Sequence, residues 1–429
     1  MSAEMAGGAD IPVCHGEQTG MSAPPKTIAL LGTLDTKGVE YAFVKECIEQ
    51  QGFATLTIDF GILDPAHFAA DVPRAEVASA GGANVLELAA KRDRGAAVAA
   101  MARGAAVLIP KLFAEGKFDG ILALGGGSGT SVACAAMREL PIGVPKVMVS
   151  TLAGSDAAHY IGSKDIVMVP SIVDIAGINR VSRGVLARAA GAVCGMAGAP
   201  IPPGNDKPVI VASMFGNTTP AVQRARTILE AAGYEVIIFH CTGNGGKAME
   251  SLIESGQITG VLDITTTEWA DELIGGVMSA GSKRLDAAAK KGVPAIVAPG
   301  CLDMVNFWKP DSIPHAHRDR KFYAHTPDVT LMRTNIDENK ALGEIIAAKL
   351  NQSTAPLTVL LPLKGVSMLD APGGRFWWPE ADGALFDALK KNLRKDIRVV
   401  EVDCNINDAP FSEKCAECLL ENIRVMKPV

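Results

Sequence analysis

Short apolar, β-branched runs recur along the first half of the chain at Thr27–Leu31, Thr55–Asp59, Ile121–Leu124, Lys146–Val149 and Ile166–Val169. Longer stretches with helical spacing separate them, at Val39–Gln51, Arg92–Glu115, Ser131–Glu139 and Asn179–Met196. Strand and helix signals in alternation predict a parallel sheet covered by helices on both faces. Three prolines within Gly198–Lys207 then break the pattern, as a linker does. A second series follows: Val209–Ser213, Glu235–Phe239, Gly260–Ile264, Ala295–Ala298, Thr330–Arg333, Thr358–Leu361 and Arg398–Val402. The pattern therefore predicts an α/β chain of two tandem Rossmann-like doubly wound domains with mainly parallel sheets. The expected divisions are a disordered tail over 1–25, a nucleotide-binding domain over 26–200, a linker over 201–207, and a substrate or oligomerisation domain over 208–429. No repeat of solenoid length recurs.

Composition narrows the function classes. A chain of 429 residues exceeds one ordinary core, which agrees with two domains. A net charge of −6, with no basic stripe interleaved with aromatics, argues against nucleic acid as a partner. Nine cysteines, an odd number without framework spacing, fit a reducing compartment, so a cytoplasmic location is expected. Residues Met1 to Pro25 carry acids but no Lys or Arg, unlike the basic start of a signal peptide. Ala189 to Gly204 is too poor in large apolar residues to span a bilayer, so no membrane partner is expected.

The most informative chemistry lies in Gly120-Ile-Leu-Ala-Leu-Gly-Gly-Gly-Ser-Gly-Thr130. A buried strand runs into Gly125, Gly126 and Gly127, then Ser128, Gly129 and Thr130, and a small-residue helix follows. Glycines there let backbone N–H groups turn toward a ligand, and the helix start adds partial positive charge; both suit a phosphate. A plain turn is the competing reading, but it needs fewer glycines. In doubly wound sheets, ligands gather beyond the carboxyl ends of strands. Gly32-Thr-Leu-Asp-Thr-Lys-Gly38 leaves the first strand and supplies Gly32, Thr33, Thr36, the Asp35 carboxylate and the Lys37 ammonium. Lys37 suits a phosphate; Asp35 suits magnesium, a ribose hydroxyl or a helix cap. Ser150 and Thr151 follow the fourth strand, with Ser155, Asp156 and Asp165 close behind, and Asp174 and Asn179 stand at a helix entrance.

Three motifs are specific: Gly-Thr-Leu-Asp-Thr-Lys-Gly at 32–38, Leu-Gly-Gly-Gly-Ser-Gly-Thr at 124–130, and Pro-Ser-Ile-Val-Asp-Ile-Ala-Gly-Ile-Asn at 170–179. They resemble the family typified by the inhibitory domain of the tomato mosaic virus resistance protein, found widely in bacteria and fungi. The likeness runs from about Thr27 to the C-terminus. It implies two Rossmann-like domains, ATP binding by the first, and dimers or higher oligomers. The 32–38 and 125–130 loops match that family's nucleotide-binding region. One departure is Ala153-Gly154-Ser155-Asp156, where the family usually has Ala-Ser-Gly-Asp, so the flexible glycine moves by one position.

The second half carries its own polar loops: Ser213-Met-Phe-Gly-Asn-Thr-Thr219, His240-Cys-Thr-Gly-Asn-Gly-Gly-Lys-Ala-Met-Glu250 and Asp263-Ile-Thr-Thr-Thr-Glu268. Gly216, Thr218, Thr219, Thr242, Gly243, Gly245, Gly246, Thr265, Thr266 and Thr267 form a candidate anion or carboxylate pocket. The competing reading gives the glycines to a turn and the threonines to a helix cap. Arg333 suits a bidentate carboxylate clamp, Glu250 and Glu268 suit acid–base work, and His325 suits substrate contact. A zinc site from Asp303, His315, His317 and His325 lacks a fixed geometry, and Cys415 and Cys418 fall on one helix face as core residues do. Trp377 and Trp378 follow Gly373-Gly374, in a loop where packing or a lid are both open readings.

These observations lead to three functional expectations. The first is an ATP- and Mg²⁺-dependent enzyme, a transferase or ligase, acting on a small acidic metabolite at the interdomain cleft, with Asp35 or Asp165 on the metal. The chain would form a homodimer or homotetramer. The second is a nucleotide-gated regulatory protein without turnover. The third is an NAD-dependent dehydrogenase, kept open because Asp59 ends the second strand although G-x-G-x-x-G is absent.

Overall fold

The computed structural model describes residues 24–155, 157–204 and 206–426. Five parallel strands build the first sheet: β1 (Thr27–Gly32), β2 (Ala54–Asp59), β3 (Gly120–Gly125), β4 (Lys146–Ser150) and β5 (Val167–Pro170), in the order β2-β1-β3-β4-β5. Alternate residues point to opposite faces of each strand. Ala29, Leu31, Ile121 and Ala123 thus pack against helices Arg74–Ala80, Arg94–Ala114 and Gly127–Glu139. Their neighbours Ile28, Leu30, Leu122 and Leu124 pack against Gly38–Glu49 and Arg180–Gly198. Arg94–Ala114 has the length and hydropathy of a membrane span, yet Ala97, Met101, Ala105 and Ile109 form a stripe buried in this domain.

The remaining strands are β6 (Val209–Met214), β7 (Glu235–His240), β8 (Ile258–Thr265), β9 (Ala295–Gly300), β10 (Met304–Phe307), β11 (Phe322–Thr326), β12 (Val329–Arg333), β13 (Leu357–Pro362) and β14 (Arg398–Val402). Six of them form a parallel sheet in the order β14-β13-β9-β8-β6-β7, buried on both faces. Counted from its own first strand, each sheet starts with the second strand at its edge, then the first, then the third. The chain therefore reverses direction between β1 and β3 and again between β6 and β8, which are the ligand-binding positions of such sheets.

Two expectations change. The run expected at Thr330–Arg333 belongs to β12, which lies in a separate antiparallel sheet, β10-β12-β11, instead of the second parallel sheet. A continuous apolar run reads alike in both settings, and the Thr326–Val329 reversal that makes the hairpin carries no Asn-Gly or Asp-Gly signal. Helices Arg74–Ala80 and Val85–Lys91 were not anticipated, because Gly81-Gly82 and Asn84 crowd a segment too short to show a period. The expected tail falls almost wholly outside the described residues, as does Asp156.

Candidate functional site

At the β1–β3 reversal the carboxyl edge of the first sheet opens into a cavity of about 850 Å³. Its polar floor is Thr33, Asp35, Thr36, Lys37, Gly125, Gly126, Gly127, Ser128, Gly129 and Asp174. These ten residues come from three loops that the sequence singled out, and the fold brings them together. Tyr41 fixes the spacing of the two strands beneath: its hydroxyl donates to the Leu31 carbonyl (2.6 Å) and accepts from Leu124 N–H (2.9 Å).

Helix Gly127–Glu139 begins after Gly126 with no side-chain cap, so its first N–H groups face the cavity without an acceptor from the chain. Neither Gly126 nor Gly127 has a positive φ. A Cβ on Gly126 would meet nothing nearer than Thr151 Oγ1 at 3.7 Å, and one on Gly127 nothing nearer than Leu152 Cδ1 at 3.6 Å. The backbone tolerates side chains there, whereas the cavity would be narrowed by them. Gly125 differs, since a Cβ would press on Gly129 Cα at 3.0 Å.

Asp35 does not cap the following helix, which has no side-chain cap. Its Oδ2 accepts from Leu63 N–H (2.8 Å) and lies 3.8 Å from Arg74, while Oδ1 is buried at the cavity wall without a partner. Lys37 donates to the Ile175 carbonyl, tying the 32–38 loop to the 170–179 loop. In that second loop Ile172 holds φ 67°, a strained value for a β-branched residue, and Asp174 accepts only from the adjacent Ile175 N–H. Asn179 caps Arg180–Gly198 with a capping box to Ser182. Asp59 is committed elsewhere, accepting from Leu34 N–H and Gly61 N–H and pairing with Arg74 at 3.1 Å, so it offers no free oxygen to a ribose.

Four residues proposed for the nucleotide do not line the cavity. Gly32 packs under the Tyr41 ring, where a Cβ would lie 1.9 Å from Cζ. Thr130 and Ser150 share a hydrogen bond with each other (2.7 Å) in the interior. Thr151 is exposed on the neighbouring turn. Asp165 is corrected outright: it sits before β5 at the amino end of the sheet. There it pairs with Lys146 (2.7 Å) and accepts from Gly143 N–H (2.7 Å). Burial alone would raise its carboxyl, but these partners hold it below the ordinary range. It cannot share a metal with Asp35 across the sheet.

In the second domain the chain supplies its own anion. Gly243 N–H and Gly246 N–H, at the start of helix Asn244–Glu254, donate to Glu268 Oε1 at 2.8 Å and 3.0 Å. The glycines are required by that contact: a Cβ on Gly246 would fall 2.0 Å from Glu268 Oε2, and one on Gly245 would fall 1.8 Å from the His240 carbonyl. Arg284 completes the cluster, donating to Glu268 (2.8 Å), to both oxygens of Asp263 (2.6 and 2.7 Å) and to Glu250 (3.1 Å). Glu250 also accepts from Leu285 and Ala287 N–H, and burial raises its carboxyl despite Arg284. The cavity beside Glu250 and Asp263 measures about 20 Å³, room for one water. Thr265 bonds to Thr218 and Thr266 to the Ala298 carbonyl, and Thr267 is wholly buried. Thr219 and Thr242 donate to the Phe215 and His240 carbonyls, and Gly216 lies at the surface.

Arg333 is likewise engaged, donating to Asp382 (2.7 Å) and the Phe376 carbonyl (2.8 Å) with Asp370 at 3.6 Å and the Trp378 ring alongside. Burial and Asp370 both raise Asp382. His325 is exposed on edge strand β11. Glu250, Glu268 and Arg333 thus have partners inside the protein, and Glu268 takes the N–H groups at which an anion pocket was expected. Among the described residues no group of three or more His, Cys, Asp or Glu side chains is arranged to hold a metal. Cys415 and Cys418 are buried.

Sequence reasoning missed other residues lining the first cavity: Phe60, Ile62, Leu63 and Asp64 after β2, Leu88, Arg94, Val98 and Met101 on two helices, and Arg92 between those helices. The first group was findable, because the loop after β2 must end on the same edge as the loops after β1 and β3. Asn84 and Asp93, the caps of the two helices, were the signal for the second.

Removing Arg284 strands three buried carboxylates, so Arg284→Met should cost about 3–5 kcal/mol of second-domain stability, read as a lower guanidinium midpoint. Asp271 gives a pH test. It accepts from Asn306 Nδ2, Asn306 N–H and Met278 N–H, and burial pushes its carboxyl up to about 7. A raised folded value means the native state holds the proton more tightly, so stability falls as pH climbs from about 4 to about 7 and then levels. Asp271→Asn should flatten that part of the stability profile. The fold should be retained, because Asn306 Oδ1 has no partner and can accept the new amide after a flip.

Comparison with known proteins supports the two-part organisation. The uncharacterised protein family UPF0261 matches with its N-terminal domain over residues 26–202 and its C-terminal domain over 207–423. A UPF0261 protein of Clostridium tetani is 48% identical over 92% of this chain and 98% of its own length. The ToMV resistance protein Tm-1(GCR237) of Solanum lycopersicum is 43% identical over 76% of this chain, which spans 45% of that longer protein. A UDP-N-acetylglucosamine 2-epimerase from Rickettsia bellii overlaps 94% of this chain and 98% of its own, at 9% identity and a TM-score of 0.22, too low to carry an argument. With both halves matched in order, the chain belongs to the uncharacterised protein family UPF0261.

Proposed function

We propose that the first domain binds ATP, with the polyphosphate on the Gly125–Gly129 loop and a magnesium ion held through Asp35. The observation that carries this reading is the pair Gly126 and Gly127: the fold has room for side chains there, and an uncapped helix start opens onto a cavity of about 850 Å³ beside them. Backbone N–H groups at such a start are a ready anion site. The unpartnered Asp35 Oδ1 is an oxygen ligand of the kind magnesium takes alongside phosphates. Lys37 adds a point charge once it leaves the Ile175 carbonyl. The chemistry available is positioning and charge neutralisation at a phosphoryl or nucleotidyl group, on a small acidic co-substrate. Eight free cysteines among the described residues suit a reducing, cytoplasmic setting, and self-association belongs to the same proposal.

A second reading is favoured by one contact. Lys37 bridges two cavity loops, and the second loop carries the strained Ile172, so recruitment of Lys37 to a phosphate would release that loop. ATP would then bias a conformation without being consumed. Steady phosphate release by the purified protein with acidic metabolites favours the enzyme; binding without release favours the gate.

ATP with magnesium should raise the melting temperature by mass action, about 2.7 kcal/mol of stabilisation at a hundred times the dissociation constant. Gly127→Val should melt like the parent without ligand and lose the ATP-induced shift in a thermal-shift titration. Retention of the full shift would move the phosphates away from this loop.

A further inference from the structure

The cavity that opens beside the glycine loop is also lined by charge from another part of the chain. Helix Val85–Lys91 ends and helix Arg94–Ala114 begins within two residues, Arg92 and Asp93. Asp93 caps the second helix through Ala96 N–H (3.0 Å). Arg92 makes the reversal at φ 50°, in the left-handed region where glycine or asparagine is the ordinary choice. A residue kept in that conformation against its preference points to a use for its side chain. Arg92 and Arg94 both line the cavity, and neither guanidinium has an ion-pair or hydrogen-bond partner among the described residues. Leu88, Val98 and Met101 line the apolar wall on the same two helices. The cavity, at about 850 Å³, lies toward the upper end of ligand pockets, which run from roughly 300 to 1,000 Å³.

We propose that Arg92 and Arg94 form a second oxyanion site in this cavity, which takes the carboxylate or phosphate of an acidic group bound beside the ATP polyphosphate. The proposal rests on the nucleotide reading for the glycine-loop end. It places the acidic co-substrate inside the first domain, away from the interdomain cleft. Guanidinium forks hold a planar carboxylate or a phosphate by paired N–H donors, and two forks lining one cavity suit a group with more than one anionic oxygen. The apolar wall of Leu88, Val98 and Met101 takes the carbon part of the same ligand. The second anion has two possible sources: a separate acidic metabolite, or an additional phosphate on the nucleotide-bearing molecule itself.

The test is calorimetry on the full chain and on Arg92→Ser/Arg94→Ser. Both side chains are exposed and make no hydrogen bond or ion pair among the described residues, so the variant should keep the parent's melting temperature without ligand. Three titrations are compared: a non-hydrolysable ATP analogue with magnesium, succinate in the presence of that analogue, and coenzyme A against dephospho-coenzyme A. The analogue should bind parent and variant alike, within about threefold, whereas the second anion should lose about tenfold or more in the variant. Loss on succinate identifies a separate acidic metabolite. Loss of the preference for coenzyme A over its dephospho form identifies an extra phosphate on one ligand. Arg92→Lys/Arg94→Lys should recover part of the affinity, since it restores charge without the fork. Equal affinity of parent and variant for all the second-anion probes overturns the proposal. So does a loss of analogue binding as large as that of the second anion, which would assign both arginines to the nucleotide. If the parent ignores the analogue while succinate still depends on the arginines, the nucleotide reading fails and the second site stands.

Discussion

Backbone N–H groups at the start of a helix need an acceptor, and in both domains that start lies at the end of a sheet strand. The second domain meets the need from within. Glu268 reaches back to Gly243 and Gly246 N–H, and Arg284 neutralises it from the other side. The first domain does not. Gly126 has no side chain to offer, and the residues around helix Gly127–Glu139 leave its opening turn facing a cavity. One local arrangement, a helix starting at a strand end, thus occurs twice: after the edge strand β7 it is closed by the chain's own carboxylate, and after β3 it is left open.

That contrast also explains why the second domain carries so many buried charges without being a site. Arg284 faces Glu250, Asp263 and Glu268, and Arg333 faces Asp370 and Asp382. A buried guanidinium among carboxylates is costly to desolvate and contributes little net stability, but losing one member leaves an uncompensated charge. The effect is to fix geometry. Arg284 ties the ends of β8 to helices Asn244–Glu254 and Glu268–Ile274, and Arg333 ties the small antiparallel sheet to helix Pro379–Asn392. The excess of acid over base in these clusters is relieved by burial, which raises the Glu250 and Asp382 carboxyls toward their neutral forms.

Much of the fold was legible because buried parallel strands are apolar on both faces, so β1, β3 and β4 stand out as uninterrupted runs. The starts and ends of elements were less so. The helix expected from Arg92 begins at Arg94, since Asp93 serves as its cap and Arg92 turns the chain in a conformation its side chain does not advertise. The three loops proposed for a nucleotide were legible as glycine and hydroxyl motifs, and most of the residues singled out in them do meet at one cavity. What the sequence could not separate was a glycine needed for clearance from one that packing does not require. Gly-Gly-Lys at 245–247 and Gly-Gly-Gly at 125–127 read alike, yet Gly245 and Gly246 close on His240 and Glu268, whereas Gly126 and Gly127 have nothing nearer than 3.6 Å. Nor could spacing reveal that Glu250, Glu268 and Arg333 find partners inside the protein, because those partners lie far away along the chain.

The way each sheet is tied at its reversal accounts for the difference between the two halves. Tyr41 links Leu31 and Leu124 from a helix on the flank, so the bond between β1 and β3 is made without placing a side chain on the carboxyl edge. Ser213 and Thr265 link β6 and β8 with their own hydroxyls: Thr265 N–H donates to Ser213 Oγ, and Ser213 Oγ–H donates to Asp263, itself held by Arg284. These groups occupy the edge they join. A tie made from the side leaves the edge free for loops that bind; a tie made at the edge uses up the same space and the same hydrogen-bonding capacity. The second domain gains a rigid, self-paired reversal by this means, and the first keeps an open one whose remaining donors, Gly127, Ser128 and Gly129, still require an acceptor from outside the chain.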